Sequence, residues 1–495
     1  MLTERLEKVL VNKNSPIDLH AELREVLGWS GLRPGDSGGE ITFVGADPVL
    51  SSALALASAA SIALVARSVA IATLWQFRGG PGQDISMDMR KAPHRICPFY
   101  DRKWETLNGF PTDTWDSSPV IQPQLSRAAD DRWVLTVPVY PRPKTDMLRF
   151  LGATDSMESV RDQIGRRDST ELETSAAAAG VVLTTVRSLE EFMTERHYIE
   201  ALADAPLIEI EKIGDSDPEP LPTAASAPLD GIRALGHGKV IAGAGIGRTL
   251  SLHGADVLNI WPRNELEAEI FYHTTGVGVR SARLDLDTSA GSATMRELLR
   301  GADIFYSNRR PGYRRRHGLT AQQAAEIRPG IIHVTGTMFG ETGPWADRPG
   351  YDENACAATG FYVLEGAADA PQLPPTVLVN DWLIPWLATT AITTALMRRA
   401  QEGGSYRIHM SLARTALWVL SLGLFDKQYA DALADSDDNH RYLDPDLFTT
   451  ECPLGTYQGV TDQVHMSQTP GRYPFALLPR GSNHPEWLPR TGGDR

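Results

Sequence analysis

The sequence predicts an α/β protein with a doubly wound sheet, and three observations carry that prediction. Residues 231–261 (GIRALGHGKVIAGAGIGRTLSLHGADVLNIW) read as strand, Gly-rich turn, helix, strand, which is a βαβ unit. The alternation then continues. GADIFYSN and GIIHVTGTM read as buried strands, the segment after Pro311 and AQQAAEI as helices, and PPTVLVN as a strand feeding a helix that starts near Trp382. Finally, 495 residues at 42% hydrophobic and 22% charged supply two or three globular domains with a sizeable core.

Ahead of this unit the chain divides into a helical extension (1–39), a first half (40–214), a linker (215–228) and a second half (229–495). The run Asp215–Gly231 gathers four prolines, small residues and acids between two periodic regions, as an interdomain linker does. In the first half an Ala-rich helix runs into GGPGQDISMDM, and in the second AITTALMRRAQ runs into EGGSYRIHMSL. Gly80, Ile85 and Met87 thus fall on Gly403, Ile408 and Met410 at a shift of 323, the mark of a duplication. The longest apolar stretch, Val49 to Ala72, is rich in Ala and Ser and interrupted by Arg67, so a buried helix is expected rather than a bilayer span.

A net charge of −14 and a pI near 5.4 make nucleic acid and anionic membranes poor partners. Cys97, Cys356 and Cys452 lack CxxC spacing, which argues against a disulfide framework or a thiolate zinc site. His333 and His409 fall in strand patterns, and no two histidines flank an acid at i, i+4, so no metal is expected. The N-terminus has no apolar signal core and the C-terminal RTGGDR no lipidation or peroxisomal signal, so a cytoplasmic location is expected.

Gly243, Gly245 and Gly247 form GxGxG rather than GxGxxG, and the next strand ends in Ile260, Trp261, Pro262 and Arg263 without a ribose-binding acid. Tight strand-to-helix packing is therefore favoured over a nicotinamide site. More informative is YSNRRPGYRRRHGL (306–319), where Asn308 and five arginines surround a Pro-Gly turn on an acidic protein. Charge alone leaves two readings open, a nucleotide-phosphate site or a solvated helix face.

The stretch NRRPGYRRRHGLTAQQAAEIRPGIIHVTGTMFGETGPWADRPGYDENACAATG, with RSARLDLDT (280–288) and KVIAGAGIGRTLSLHGADVL before it, resembles the signature of family III CoA transferases, the CaiB/BaiF family. The resemblance covers residues 229–420 well. It implies a Rossmann-like CoA-binding domain with a smaller α/β domain, CoA as a substrate moiety rather than a resident cofactor, and acyl-CoA and carboxylic acid as partners. Adenine and phosphate contacts would fall on Arg280, Leu284, Asn308, Arg309 and Arg316. The attacking carboxylate would be Asp381, expected as an N-cap kept ionised by the helix dipole.

The same fold includes α-methylacyl-CoA racemases, which use a histidine in a GHD-like motif. Here the motif reads Gly350, Tyr351, Asp352, and a phenol is a poor base at neutral pH. Tyr351 therefore points to transfer and is expected against the CoA or acyl portion. Ile241 replaces a glutamine of formyl-CoA transferases, and no tetraglycine loop is present, which disfavours a formyl or oxalyl substrate. Trp382 and Trp386 suit either an acyl pocket or core packing.

Residues 40–222 resemble the later part of the family's sequence, through phrases such as GPGQDISMD and TTVRSLEEFM. Asp381 falls on Ser58 or Ala59 in this copy, and Asp47 is expected to lie too far upstream to substitute. A catalytically empty first half could complete the second, as an intrachain pseudo-dimer or within a homodimer. A racemase and a non-catalytic CoA-binding scaffold stand as the alternatives.

Overall fold

The computed structural model describes residues 1–112, 120, 122–221 and 225–489; part of the linker run and the C-terminal RTGGDR lie outside the described residues. Helices Leu2–Val11 and Leu19–Trp29 form the expected extension, the second capped by Asp18 accepting from Ala21 N–H at 3.0 Å. Arg5 ties them together through Glu22 (2.6 Å) and reaches the Ser421 carbonyl at 3.2 Å.

The first half is built on β1 (Gly38–Val44), α1 (Leu56–Phe77) and β2 (Gln83–Asp88), with β1 and β2 parallel, followed by the short α2 (Pro93–Ile96). α1 is long and apolar enough to cross a membrane by composition, which the interruption at Arg67 had argued against. It is instead packed inside the protein, and Arg67 pairs there with Asp462. A smaller α/β layer follows. Strands Gln124–Arg127, Trp133–Thr136 and Leu183–Thr185 carry three helices over a core of their own that includes Val134, Leu151, Ile164 and Leu172.

The last strand before the linker, β3 (Glu209–Gly214), leaves the first half. It joins the large sheet of the second, which comprises β4 (Arg233–Gly236), then α3 (Gly245–Leu252), β5 (Asp256–Pro262), β6 (Arg280–Leu284), β7 (Ile304–Ser307), α4 (Pro311–Arg316), β8 (Ile332–Thr337), α5 (Asp352–Thr359), α6 (Asn380–Glu402) and β9 (Ser405–Ser411). The strand order is β6-β5-β4-β7-β8-β9-β3, parallel throughout except for β3 against β9. In return, β10 (Val464–Met466) pairs with β2. The expected boundary at 214/215 therefore does not separate two sheets, because each half lends the other an edge strand.

The α1–β2 and α6–β9 passages superpose in sequence at the shift of 323 to within two residues at every boundary. α1 and α6 pack on each other at the centre of the molecule, sharing one apolar core. The expected strand PPTVLVN is absent. Pro374 and Pro375 lack N–H donors, Val377 adopts φ 62° with its N–H bonded to Pro374 O (2.9 Å), and Thr376 Oγ1 turns onto Leu378 O (2.8 Å). A compact turn, not a strand, delivers the chain to α6.

Candidate active site

In a doubly wound sheet ligands bind where neighbouring strands send their connections to opposite faces, and here that point lies between the carboxyl ends of β4 and β7. The loop after β4 (237–244) and the turn after β7 (308–310) meet there. Both ends of the Asn308 amide are used to hold them together: Oδ1 accepts from Lys239 N–H (3.1 Å) and Nδ2 donates to Lys239 O (3.0 Å). A Cβ on Gly243 would stand 2.3 Å from that amide. Gly247 is likewise pressed against Tyr306 and Gly245 against Trp382 and Pro385, so the GxGxG run serves close packing.

Arg309 makes a bidentate pair with Glu265 (both 2.5 Å), and Lys239 adds a contact of 3.2 Å. Burial pushes the Glu265 carboxyl up, but Arg309 and then Lys239 outweigh it and hold it at about 2. Arg316 is exposed on α4 and lies over the Tyr313 ring at 5.6 Å, a ring that also stacks on His237 and touches His317. Leu284, the last residue of β6, ends at the same edge. Arg280 does not join them. It begins β6, so it sits roughly 13 Å away along the strand, and its guanidinium is taken up by Asp256 (2.8 and 3.0 Å) and the Glu486 carbonyl (2.9 Å).

Beyond the loop 237–244 lies a buried group of three carboxyls: Asp352, Glu353 and Asp381. The expected N-cap role of Asp381 belongs instead to Asp352. α6 starts at Asn380, and Asp352 accepts from the N–H groups of Val379 and Asn380 and from Asn380 Nδ2 (2.7 Å). These donors oppose the effect of burial, leaving Asp352 at about 6. Asp381, one position further in and 7% exposed, has the Ala242 backbone favouring its anion. Burial first, then Asp352 and Glu353, push its carboxyl well above the ordinary range. Burial thus works against the ionised form that a helix cap exposed to solvent would favour. Glu353, on the same turn as Asp352, is raised to about 8 by burial and by Asp352.

Tyr351 is the residue before α5, its N–H held by Asn354 Oδ1 (3.0 Å) and its ring 6.4 Å from that of Tyr140. Burial and then Glu267 keep its phenol protonated far above neutral pH. Tyr140, from the first half, donates to Glu267, lies under the Lys239 ammonium at 4.5 Å, and so enters the crevice from the opposite side. Glu267 also accepts from Val240 N–H at 2.8 Å. The first half further supplies Arg95, whose guanidinium stacks on Trp382 at 4.5 Å, and buried Cys97, whose thiol is pushed well up by burial and then by Glu105. Trp382 and Trp386 are fully buried and stacked 6.1 Å apart, so they pack the core rather than line an open pocket.

The turn of residues 48–55 brings Asp47 back onto α1, where its Oδ2 accepts from Ser58 N–H at 2.7 Å. Asp47 thus does for α1 what Asp352 does for α6, and the position matching Asp381 is left to Ser58. Neither the Asp352 cap nor the Tyr140–Glu267 pair was found from sequence. Asp352 stood inside the Gly350-Tyr351-Asp352 motif, where its acidity was the available signal, whereas Tyr140 had none. Among the described residues no group of three or more His, Cys, Asp or Glu is arranged to hold a metal ion.

A doubly wound sheet with a basic, aromatic crevice at its switch point belongs to the class of α/β proteins that take ligands at the carboxyl ends of their strands. The model of CoA-transferase family III matches residues 229–479, half of the chain, and the protein belongs to that family. It is similar to the acetyl-coenzyme A transferase nodX of Hypoxylon pulicicidum, 28% identical over 213 residues, covering 42% of this chain and 36% of that one. The succinate–glutarate CoA-transferase of Agrobacterium fabrum is 31% identical over 212 residues (39% and 53% covered), and the formyl-CoA:oxalate CoA-transferase of Escherichia coli 28% over 229 (44% and 55%). The chain thus spans from about a third to about half the length of these relatives. Among solved structures, a CaiB/BaiF family protein from Brucella suis aligns at 26% identity and a TM-score of 0.35, covering 46% of this chain and 65% of that one.

Proposed function

We propose that this protein moves CoA between an acyl-CoA thioester and a carboxylic acid, with Asp381 as the nucleophile. The observation that carries the reading is the burial of the Asp381 carboxyl at the start of α6, against the Ala242 backbone of the crevice loop. A dry carboxyl next to a thioester site favours acyl transfer over hydrolysis. Asp381 reacts in its ionised form: the carboxylate attacks the thioester carbonyl, the C–S bond breaks, and CoA leaves as thiolate. The thiolate attacks the aspartyl carbonyl of the resulting anhydride, releasing the donor's acyl group as a carboxylate and leaving an aspartyl-CoA thioester. The acceptor carboxylate then repeats the two steps in reverse order.

In this reading the adenosine end of CoA lies along Tyr313, Arg316, Arg309 and Leu284, with Arg280 serving the sheet. Tyr351 acts as a positioning phenol. The racemase alternative needs a second base at neutral pH, and the phenol of Tyr351, kept protonated by burial, counts against it. The first half acts as an internal partner, a role supported by Tyr140 and Arg95 reaching the second half's residues. Transfer assays with a panel of acyl-CoAs and carboxylic acids test the proposal. Ping-pong kinetics lost in Asp381→Asn are expected, and transfer that survives this substitution would overturn it.

A further inference from the structure

Arg309, in the turn after β7, has its guanidinium held on one side and occupied on the other. Its Nε donates to the His237 carbonyl (3.3 Å), and the group stands 5.9 Å from the Tyr313 ring. The fork of its two Nη atoms takes both oxygens of Glu265, and Lys239 Nζ reaches one of those oxygens at 3.2 Å. A guanidinium fork fits a phosphate as it fits a carboxylate, because each offers two oxygens to its parallel N–H groups. The place that Arg309 and Lys239 would give to a phosphate is therefore filled by a carboxylate of the chain itself.

These side chains are within reach of solvent: those of Arg309, Glu265 and Lys239 are 10%, 16% and 24% exposed. Glu265 is also able to leave without its loop. Its N–H is bonded to the Pro262 carbonyl (3.2 Å) and its own carbonyl accepts from Arg480 Nη1 (2.7 Å), so the backbone is pinned and the side chain alone turns. Asn264 and Leu266 on either side are exposed, which leaves a displaced carboxylate solvent to enter. The other carboxyl near Lys239 is that of Glu267. It is buried and engaged by Val240 N–H (2.8 Å) and Tyr140, outside the Arg309 fork.

We propose that Glu265 is an internal stand-in for a phosphate of CoA: in the free chain its carboxylate closes the Arg309–Lys239 site, and CoA binds by exchanging a phosphate for it. The proposal rests on the CoA-transfer reading above. It adds Lys239 as a phosphate-binding residue and Glu265 as the residue that sets the affinity. Opening the Arg309–Glu265 pair is a cost that binding must overcome, so the apparent affinity falls with the fraction of chains whose site is open. The 3′-phosphate of CoA and its diphosphate bridge share the chemistry the fork recognises.

Isothermal titration of the full chain with CoA and with dephospho-CoA, at an ionic strength of about 0.05 M where charges are weakly screened, tests this. Glu265→Gln keeps the length of the side chain, removes the charge that occupies the fork, and should bind CoA about tenfold tighter than the wild type. A structural role for the pair would give the opposite sign. Lys239→Gln should bind CoA several-fold more weakly, and it decides the matter if Glu265→Gln does not fold. A gain that persists with dephospho-CoA supports the diphosphate as the group that replaces Glu265, and a gain confined to CoA supports the 3′-phosphate. Unchanged or weaker binding by Glu265→Gln, or unchanged binding by Lys239→Gln, beside a wild type that binds CoA, would overturn the proposal and leave the CoA-transfer reading standing. A wild type that binds no CoA would overturn both.

Discussion

Replacing Glu353 with Gln keeps the shape of a buried side chain while removing its ability to ionise beside Asp352 and Asp381. In the folded protein Glu353 holds its proton up to about pH 8, against an ordinary value of 4.5. Its protonated form is thus favoured by folding. The contribution is fully present below the ordinary carboxyl range and drains away as pH rises through the folded value near 8. At about 1.4 kcal/mol per pH unit this amounts to about 5 kcal/mol across the window. Urea unfolding of the wild type and Glu353→Gln at a series of pH values between about 5 and about 8 reads it directly. The wild type should lose stability relative to the variant as pH rises. Parallel stability curves would refute the reasoning.

Asp352→Ala should cost about 2 kcal/mol of stability, the upper end for a lost helix cap, measured by denaturant midpoint. Arg309→Gln should weaken CoA binding in a calorimetric titration by about tenfold or more, as loss of a charge-assisted contact predicts. Arg280→Gln should leave CoA affinity unchanged and instead lower the thermal midpoint, since its partners are Asp256 and the Glu486 carbonyl. Tyr140→Phe removes a donor from buried Glu267 and should raise the KM for acyl-CoA by about tenfold, the readout for a contribution of the first half to the site.

Much of the second half was legible because its signals are local. Strands such as IFYS and IHVTGT are short, continuous runs bounded by turns, and the Gly-rich segment before α3 leaves little room for anything but a tight connection. Local reading failed where position along a strand mattered. Arg280 and Arg309 are both arginines beside strands, yet one stands at the amino end of β6 and the other just past the carboxyl end of β7. PPTVLVN has strand-like composition, but its prolines and the Asp352 cap turn it into a bend. That cap joins residues 28 positions apart, and the Tyr140–Glu267 contact joins residues 127 apart. Asp47 illustrates the same point, because distance along the chain hid a carboxylate that the turn folds back onto α1. The upward push on the Asp381 carboxyl was equally hidden, since it arises from burial and from Asp352 and Glu353, which gather beside it only in the folded core.

The central claim is that Asp381 becomes covalently acylated. Incubating the full chain with acyl-CoA donors, adding hydroxylamine and mapping peptides by mass spectrometry tests it most directly. The account predicts a hydroxamate at Asp381, absent from Asp381→Ala. An unmodified Asp381 in the presence of donors that demonstrably bind would contradict it.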